Sequence, residues 1–179
     1  MKISDFQLYK LEDSNQIKSF ECEDSDLNDF LFEDALGYHI QLMGVTYLII
    51  DKSKDHIVAY YTLINDKITR DENERSIWNR LSRTFPNSKR RKHYPAVKIG
   101  RLAVDRNYSK YGLGSDILTF LKILFTSGNR TGCRFITVDA YRTALPFYEK
   151  NGFAYMTEKD NREDTRLMFF DLKSFIPLK

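Results

Sequence analysis

The order of strand-like and helix-like segments along this chain predicts an α/β fold. Runs rich in β-branched and aromatic residues favour strands in the first third of the chain, and apolar residues at helical spacing over 27–42 favour an amphipathic helix. Further along, an apolar run at 96–104, a glycine turn at 107–115 and a helix-like run at 113–125 form one strand-turn-helix unit. Such a unit places a ligand at the carboxyl end of its strand.

The N-terminal segment predicts one strand followed by one helix. Alternation of apolar and polar residues favours a strand over 3–11. The helix over 27–42 follows Asp24 and Ser25, either of which can cap it, because a short polar side chain accepts hydrogen bonds from the first backbone N–H groups of a helix. Residues 21–34 are rich in Asp and Glu, so this segment is the acidic end of the chain.

The next segment predicts a β-hairpin. The runs at 45–50 and 57–64 are β-branched and aromatic, and the polar sequence Asp51-Lys-Ser-Lys-Asp55 separates them, as in neighbouring antiparallel strands. Residues 66–95 lose this regularity. We expect one helix around 72–85 and an exposed loop in this part of the chain.

Beyond the glycine turn, the sequence predicts an alternation of helices and strands. The helix that begins in the turn is expected to run to about Ser127. A strand, a helix and two further strands are expected at 134–139, 143–150, 153–158 and 165–171. This alternation supports the α/β class.

The glycine turn is a candidate phosphate site. Gly112 and Gly114 lack a Cβ, so a ligand can approach the backbone closely and meet successive N–H groups. The helix that follows adds the positive end of its dipole, which attracts anions. An ordinary strand-to-helix turn with two glycines is the alternative that this segment leaves open.

Two segments downstream of the glycine turn bear on its interpretation. Phe135-Ile-Thr-Val-Asp139 reads as a strand, and Ala144-Leu-Pro-Phe-Tyr-Glu-Lys-Asn-Gly-Phe153 follows it. Together with the turn, these segments resemble the GNAT acetyltransferase superfamily. The resemblance implies a GNAT fold in a single domain over 1–179, with a mixed, partly splayed central β-sheet flanked by helices. Acetyl-CoA would lie in the splay between the strands that end near Val104 and Asp139.

The resemblance also implies which residues bind acetyl-CoA. In the family, the strand before the turn pairs with the pantetheine arm, and the turn binds the pyrophosphate. Ser109 stands where the family has a long Arg or Gln, so backbone amides would contribute more to pyrophosphate binding, with Lys110 as a substitute positive charge. Tyr141 stands where the family usually has an asparagine. The implied acetyl-CoA residues are Leu102, Ala103, Val104, Ser109, Lys110, Tyr111, Gly112, Leu113, Gly114 and Ser115.

Tyr148 is the catalytic residue that the resemblance implies. A phenol with a pKa near ~10 stays protonated at neutral pH, so it can donate its proton to the departing CoA thiolate as a general acid. A packing aromatic with a satisfied hydroxyl is the alternative. The reaction implied is direct attack of a primary amine on the acetyl group in a ternary complex, with a backbone N–H near Val104 polarising the thioester carbonyl.

The general base is left open by the sequence. Asp139, Glu149, His93 and water can each accept the proton that the amine loses. Each of the three side chains is also explained as a surface charge, a helix-terminus partner or a loop histidine. Cys133 has no visible paired His, so we interpret it as a buried strand-end thiol and not as an acyl-accepting nucleophile.

A narrower resemblance bears on the acceptor. The segments Phe20 to Leu31, Gly100 to Asp105 and Val138 to Ala140 look like the GNAT branch that includes acetyltransferase toxins, which acetylate the α-amine of aminoacyl-tRNA. The basic run Lys89 to Lys92 and Arg101 are then candidate contacts to tRNA phosphates. From the sequence we predict an N-acetyltransferase that acts on a primary amine; a toxin that acetylates aminoacyl-tRNA and a non-catalytic acyl-CoA-binding module are the alternatives.

Composition limits the class of protein. Among 179 residues, 28 Lys and Arg stand against 25 Asp and Glu, and 42% are hydrophobic, which suits one globular domain. The sequence has neither a long apolar run nor a signal-like N-terminus, so we expect a cytoplasmic protein that does not enter the membrane. Cys22 and Cys133 form no ligand set, so we expect no metal site. We expect a monomer or a homodimer.

Overall fold

The structure is a computed structural model that describes residues 2–69, 78, 92–127, 131–157 and 162–176. Apart from residue 78, the helix expected around 72–85 lies outside the described residues, as do the basic residues 89–91. Lys92, the last residue of the basic run, is described and exposed.

The described residues form strands and helices in an alternating order. The strands are β1 Gln7–Lys10, β2 Val45–Asp51, β3 His56–Thr69, β4 His93–Val104, β5 Phe135–Tyr141, β6 Ala154–Tyr155 and β7 Thr165–Asp171. The helices are α1 Ser25–Asp29, α2 Ala35–Ile40, α3 Leu113–Thr126 and α4 Leu145–Lys150, and a π-helical segment, Phe30–Asp34, joins α1 to α2. The chain forms two compact units, residues 1–64 with 99–123 and residues 65–98 with 124–179.

In the first unit, the hydrogen-bonded strands follow the order β1-β2-β3-β4. β1 pairs antiparallel with β2, and β2 pairs antiparallel with β3, so the predicted hairpin is confirmed. Buried side chains of β2 and β3 and of the helical segments share one core. Its members include Phe30, Leu31, Leu48, Ile57 and Tyr60. Full burial of each large apolar side chain stabilises the fold by about 1.5–3 kcal/mol.

The prediction of a strand over 3–11 is wrong for its first residues. Ile3–Asp5 forms a single helical turn, and the Lys2 N–H donates to the Asp5 carboxylate at 2.7 Å. The strand covers only Gln7–Lys10. A local hydrogen bond from a short acidic side chain competes here with strand pairing, which alternation alone does not reveal.

The N-terminal helix begins as predicted and ends earlier. The Asp24 carboxylate accepts a hydrogen bond from the Leu27 N–H at 3.2 Å and caps α1. α2 ends at Ile40, and Leu42, expected on the apolar face, has a φ of 58° and is 90% exposed. The N–H of the following residue donates to the Tyr38 carbonyl at 2.9 Å, which closes the helix end.

In the second unit, the strand order is β3-β4-β5-β7-β6. β7 covers 165–171 as predicted and pairs antiparallel with β5 and β6. β6 is shorter than the strand expected at 153–158. Phe135 is fully buried in the core of this unit, where its ring packs edge-on against Phe169 at 5.9 Å.

The neighbouring strands β4 and β5 run parallel. In the contacts between them, residue numbers increase together on both sides: Pro95 contacts Arg134, Val97 contacts Thr137 and Lys98 contacts Asp139. A helix, α3, connects the two strands, as parallel neighbours require. With antiparallel pairs on β5, β6 and β7, the sheet is mixed, and the predicted α/β class is confirmed.

Candidate active site

The glycine turn lies in the first unit, between β4 and α3. The chain leaves β4 at Val104, passes through the single helical turn Ser109–Tyr111 and enters α3. Gly112 joins the two helical segments with φ 76° and ψ 10°, a left-handed conformation that glycine adopts without steric cost. A Cβ at Gly112 would meet no described atom within 4 Å. Glycine is therefore required here by the backbone conformation and not by crowding from neighbouring atoms.

The turn leaves a short run of backbone N–H groups for a ligand. The Tyr111 N–H donates to the Tyr108 carbonyl at 3.3 Å, and the Ser115 N–H donates to the Gly112 carbonyl at 3.0 Å. Among the described residues, none accepts a hydrogen bond from the N–H groups of the intervening residues 112–114. We therefore expect the pyrophosphate of acetyl-CoA to meet these three amides at the positive end of the α3 dipole.

The predicted pantetheine strand is the last part of β4. Ala103 is buried, whereas Leu102 and Val104 are half-buried. Immediately after β4, the Asp105 N–H donates to the Val58 carbonyl at 2.9 Å, so the chain stays paired with β3 as it leaves the strand.

Ser109 and Lys110 differ in what their side chains contact. The Ser109 hydroxyl donates to the Arg106 carbonyl at 3.0 Å, which uses its only proton within the loop. Lys110 is exposed in the same helical turn. Its ammonium group is therefore the charge available to a phosphate beside the three amides.

We expect Lys110→Ala to weaken acetyl-CoA binding about threefold, because an exposed ion pair contributes on the order of 0.2–1 kcal/mol. Ser109→Ala should change the Kd less, since its hydroxyl serves the loop. Titration calorimetry with acetyl-CoA at low and high salt checks both variants, and the Lys110 effect should fade as salt screens the charge. A larger loss for Ser109→Ala would contradict the assignment of these two side chains.

Asp105 is a candidate functional residue that the sequence alone did not single out. Its carboxylate is 1% exposed and accepts hydrogen bonds from His56 Nε2 at 2.9 Å, the Asn107 N–H at 2.9 Å and the Glu21 N–H at 3.2 Å. Burial by itself raises the pKa of this carboxyl, but the hydrogen bonds outweigh it, so the pKa lies below its ordinary value. An ionised, immobile carboxylate thus stands at the start of the turn.

A pocket of about 320 Å³ in the first unit is lined by Lys54, His56, Asn107, Tyr108 and Tyr111. Lys54 Nζ lies 3.0 Å from the Tyr108 hydroxyl oxygen and 5.3 Å from the centroid of its ring. His56 stacks on the same ring with a centroid distance of 6.0 Å. Residues that shape the glycine turn therefore also form the wall of this pocket.

The predicted catalytic tyrosine belongs to the second unit. Tyr148 lies on α4 and is 6% exposed, and its ring packs edge-on against Phe147 at 5.0 Å and Phe153 at 5.3 Å. Burial raises the pKa of its phenol above the ordinary value. The hydroxyl is therefore protonated throughout the physiological pH range, as a proton donor must be.

The candidate bases also belong to the second unit. Lys98 Nζ donates to the Asp139 carboxylate at 2.7 Å, and His93 Nδ1 lies 3.0 Å from Thr69 Oγ1. Glu149 is exposed on α4. All three candidates have exposed side chains, so the geometry favours none of them.

Cys133 and Arg101 are engaged within their own units. The Cys133 Sγ donates to the Phe135 carbonyl at 3.3 Å, and burial raises the pKa of this thiol, which disfavours the nucleophilic thiolate. Arg101 Nη2 lies 3.6 Å from Asp26, and the guanidinium lies 4.9 Å from the Phe30 ring centroid. The Arg101 charge is thereby partly neutralised within the protein.

Within the part of the chain that the structure describes, His, Cys, Asp and Glu side chains form no group of three or more that could hold a metal ion. In the same residues, no helix combines the length and the apolar character needed to cross a bilayer.

Known proteins resemble this chain in sequence. A family model described as an acetyltransferase (GNAT) domain matches residues 47–155. The chain is also 27% identical over 109 residues to a tRNA-acetylating toxin of Mycobacterium tuberculosis. That match covers 61% of this chain and 59% of the toxin, so it spans less than two thirds of the relative's length.

Solved structures resemble the fold over nearly the whole chain. A tyrosine-to-phenylalanine mutant of the toxin AtaT, bound to the C-terminus of the antitoxin AtaR and acetyl-CoA, superposes with a TM-score of 0.70 at 22% identity, covering 95% of each chain. AtaT complexed with acetyl-methionyl-tRNAfMet gives a TM-score of 0.71 at 23% identity, covering 96% of this chain and 97% of that one. These similarities establish the fold. Because the family model spans more than half of the chain, the protein belongs to the GNAT acetyltransferases.

Proposed function

We propose that this enzyme transfers the acetyl group of acetyl-CoA to the α-amine of aminoacyl-tRNA and acts as a toxin. The similarity to a tRNA-acetylating toxin is the observation that carries this choice of acceptor. Transfer to another primary amine is the broader alternative. A non-catalytic acyl-CoA-binding module is disfavoured because the chain keeps a buried, protonated tyrosine at 148.

The donor side of the proposal rests on the glycine turn. Acetyl-CoA supplies an activated acetyl group whose leaving thiolate needs a proton. The amides of residues 112–114 and the Lys110 ammonium group are suited to its pyrophosphate, because backbone donors and a cation both favour anionic oxygens. The end of β4 at Leu102 to Val104 is suited to the pantetheine arm, whose amides can pair with a strand backbone.

The chemical step assigns one role to Tyr148 and one to a backbone group. The acceptor amine attacks the acetyl carbon directly, the C–S bond breaks, and the Tyr148 hydroxyl gives its proton to the departing sulfur. A backbone N–H near Val104 donates to the carbonyl oxygen as negative charge develops on it. The amine passes its own proton to a base among Asp139, Glu149, His93 and water.

A protein partner follows from the toxin proposal. A toxin that acetylates aminoacyl-tRNA blocks translation in the cell that makes it, so an inhibitor must accompany it. We expect a partner protein that binds this chain and suppresses transfer.

Controlled expression in a bacterial host tests the proposed function. We expect induction of the wild-type chain to arrest growth within one or two generations and to leave N-acetylated aminoacyl-tRNA in the extracted tRNA, detected by mass spectrometry of the released aminoacyl group. The matched control is Tyr148→Phe, which keeps the ring and removes the proton donor.

Normal growth with unmodified aminoacyl-tRNA, at a level of wild-type protein that a blot shows to be high, would remove the toxin proposal. Growth arrest that Tyr148→Phe reproduces fully would show that the arrest does not come from acetyl transfer. Acetylation of polyamines or peptides without tRNA modification would favour the broader alternative.

A further inference from the structure

The acidic N-terminal segment 20–28 is a sequence feature that the acetyl transfer step does not use. In the first unit, this segment contacts the chain directly after β4. The Arg106 N–H donates to the Glu21 carbonyl at 2.8 Å, and the Glu21 N–H donates to the Asp105 carboxylate at 3.2 Å. The segment is therefore tied to the start of the glycine turn by one bond between backbone groups and one to a side chain, and both join residues more than 80 positions apart.

Segment 20–28 has its own internal hydrogen bonds. The Asn28 side chain donates to the Glu21 carboxylate at 2.7 Å and accepts from the Cys22 N–H at 3.1 Å. The Glu23 N–H donates to the same Glu21 carboxylate at 2.7 Å, and Glu23 has a φ of 68°. Asn28 and Glu21 thus hold the segment in a closed loop on α1, including one residue in the left-handed region. A loop fixed in this way can hold the residues that it contacts, Asp105 and Arg106, in place.

The Asp105 carboxylate connects this loop to the turn. Its Oδ2 accepts from the Glu21 N–H and from His56 Nε2, while its Oδ1 accepts from the N–H and the side-chain amide of Asn107 at 2.9 Å and 3.0 Å. The other ring nitrogen of His56 lies 2.8 Å from Ser19 Oγ, so the tautomer with a proton on Nε2 satisfies both partners. One carboxylate therefore holds the N-terminal segment, β3 and the turn.

Hydrogen bonds connect Asp105 to Tyr111, next to the predicted pyrophosphate amides. The Tyr108 N–H donates to the Asp105 carbonyl at 2.8 Å, and the Tyr111 N–H donates to the Tyr108 carbonyl at 3.3 Å. The Tyr108 hydroxyl lies 3.2 Å from the Asp51 carboxylate and 3.0 Å from Lys54 Nζ, so this tyrosine is fixed at both ends. Tyr111 directly precedes the first of the amides at 112–114.

We propose that Asp105 is a positioning residue for acetyl-CoA, through which segment 20–28 and His56 set the direction of the amides at 112–114. The inference rests on the proposed location of the pyrophosphate in the glycine turn. It gives the acidic N-terminal segment a role in donor binding. The role proposed for Asp105 and segment 20–28 is positioning, with no part in the chemical step.

Asp105→Asn tests the proposal with the smallest change of shape. Asparagine has one acceptor oxygen where aspartate has two, so it can keep the bonds to Asn107 or those to Glu21 and His56, but not both. We expect the Kd for acetyl-CoA to rise about tenfold, since hydrogen bonds to charged groups are among the stronger ones in proteins. Asn28→Ala, one step further from the turn, should raise it about threefold.

Thr46→Val is the matched control. Thr46 Oγ1 and Thr62 Oγ1 form a buried hydrogen bond of 2.8 Å in the same unit, so this variant also leaves a buried polar group without its partner. Thr46→Val should lower the thermal midpoint about as much as Asp105→Asn does and leave the Kd for acetyl-CoA unchanged. Calorimetry with acetyl-CoA gives the Kd without any acceptor, and steady-state rates with an active acceptor should show a raised KM for acetyl-CoA with kcat within about twofold.

Equal Kd values for wild type and Asp105→Asn would overturn the proposal, as would equal Kd changes for Asp105→Asn and Thr46→Val at equal loss of stability. Gly112→Val serves as the reference for the site itself. If it fails to weaken acetyl-CoA binding, the pyrophosphate lies elsewhere and the proposed site is wrong. If it weakens binding and Asp105→Asn does not, only the role of Asp105 is wrong. Failure to acetylate tRNA affects none of these binding measurements.

Discussion

Tyr148→Phe is expected to lower kcat about 100-fold to 1,000-fold, within the range that general acid catalysis supplies. The substitution removes only the hydroxyl, so the ring keeps its edge-on contacts with Phe147 and Phe153. Loss of the proton donor forces the CoA thiolate to leave unprotonated, and the cost falls on the transition state. We therefore expect kcat and kcat/KM to fall together while the Kd for acetyl-CoA stays nearly constant.

The measurement for Tyr148→Phe is thiol release from acetyl-CoA at saturating donor and acceptor, with the Kd measured separately. Phe147→Leu is the matched control, because it disturbs the packing of α4 and keeps the hydroxyl. If Phe147→Leu slows turnover as much as Tyr148→Phe, packing explains the loss. Unchanged kcat in Tyr148→Phe would remove the tyrosine from the mechanism.

Gly112→Val is expected to raise the Kd for acetyl-CoA about thirtyfold. Gly112 has a φ of 76°, and the left-handed conformation costs an L-residue about 1–2 kcal/mol, with β-branched residues at the unfavourable end. Because the added Cβ meets no described atom within 4 Å, the backbone itself carries the cost. We expect the loop to relieve this strain by changing the orientation of the amides at 112–114, and calorimetry with acetyl-CoA measures the result.

Gly112→Asn is the matched control, since asparagine tolerates positive φ better than other L-residues. A near-normal Kd for Gly112→Asn with a large increase for Gly112→Val would assign the requirement to backbone conformation. Equal losses for both would assign it to close approach of the phosphate. A normal Kd for Gly112→Val would contradict the placement of the pyrophosphate in this turn.

Much of the fold follows from periodicity in the sequence. The hairpin of β2 and β3, the strand β7 and the cap at Asp24 were predictable because each depends on residues close together in the chain. The errors occur where a local interaction competes with the pattern. The Lys2 and Asp5 hydrogen bond turns the start of the predicted first strand into a helical turn, and the end of α2 places the apolar Leu42 in solvent.

In the candidate site, too, local features could be predicted from the sequence and long-range contacts could not. The position of the glycine turn between β4 and α3 was predictable, since strand, turn and helix follow one another directly in the sequence. The acetyl-CoA-binding role of the turn and the catalytic role of Tyr148 come from the family resemblance and stay predictions. The roles of Asp105 and His56 were not predictable, because the hydrogen bonds that define them join residues 49 and 84 positions apart. An acidic residue at the end of a buried strand was the available signal, and only the folded chain shows its partners.

Transfer of a labelled acetyl group by the purified chain tests the central claim most directly. Acetyl-CoA labelled in the acetyl group is incubated with aminoacyl-tRNA, with the same tRNA deacylated, and with a mixture of polyamines and peptides. The proposed function predicts label on aminoacyl-tRNA alone, located at the α-amine and lost in Tyr148→Phe. Label on the polyamines or peptides with none on aminoacyl-tRNA would contradict it.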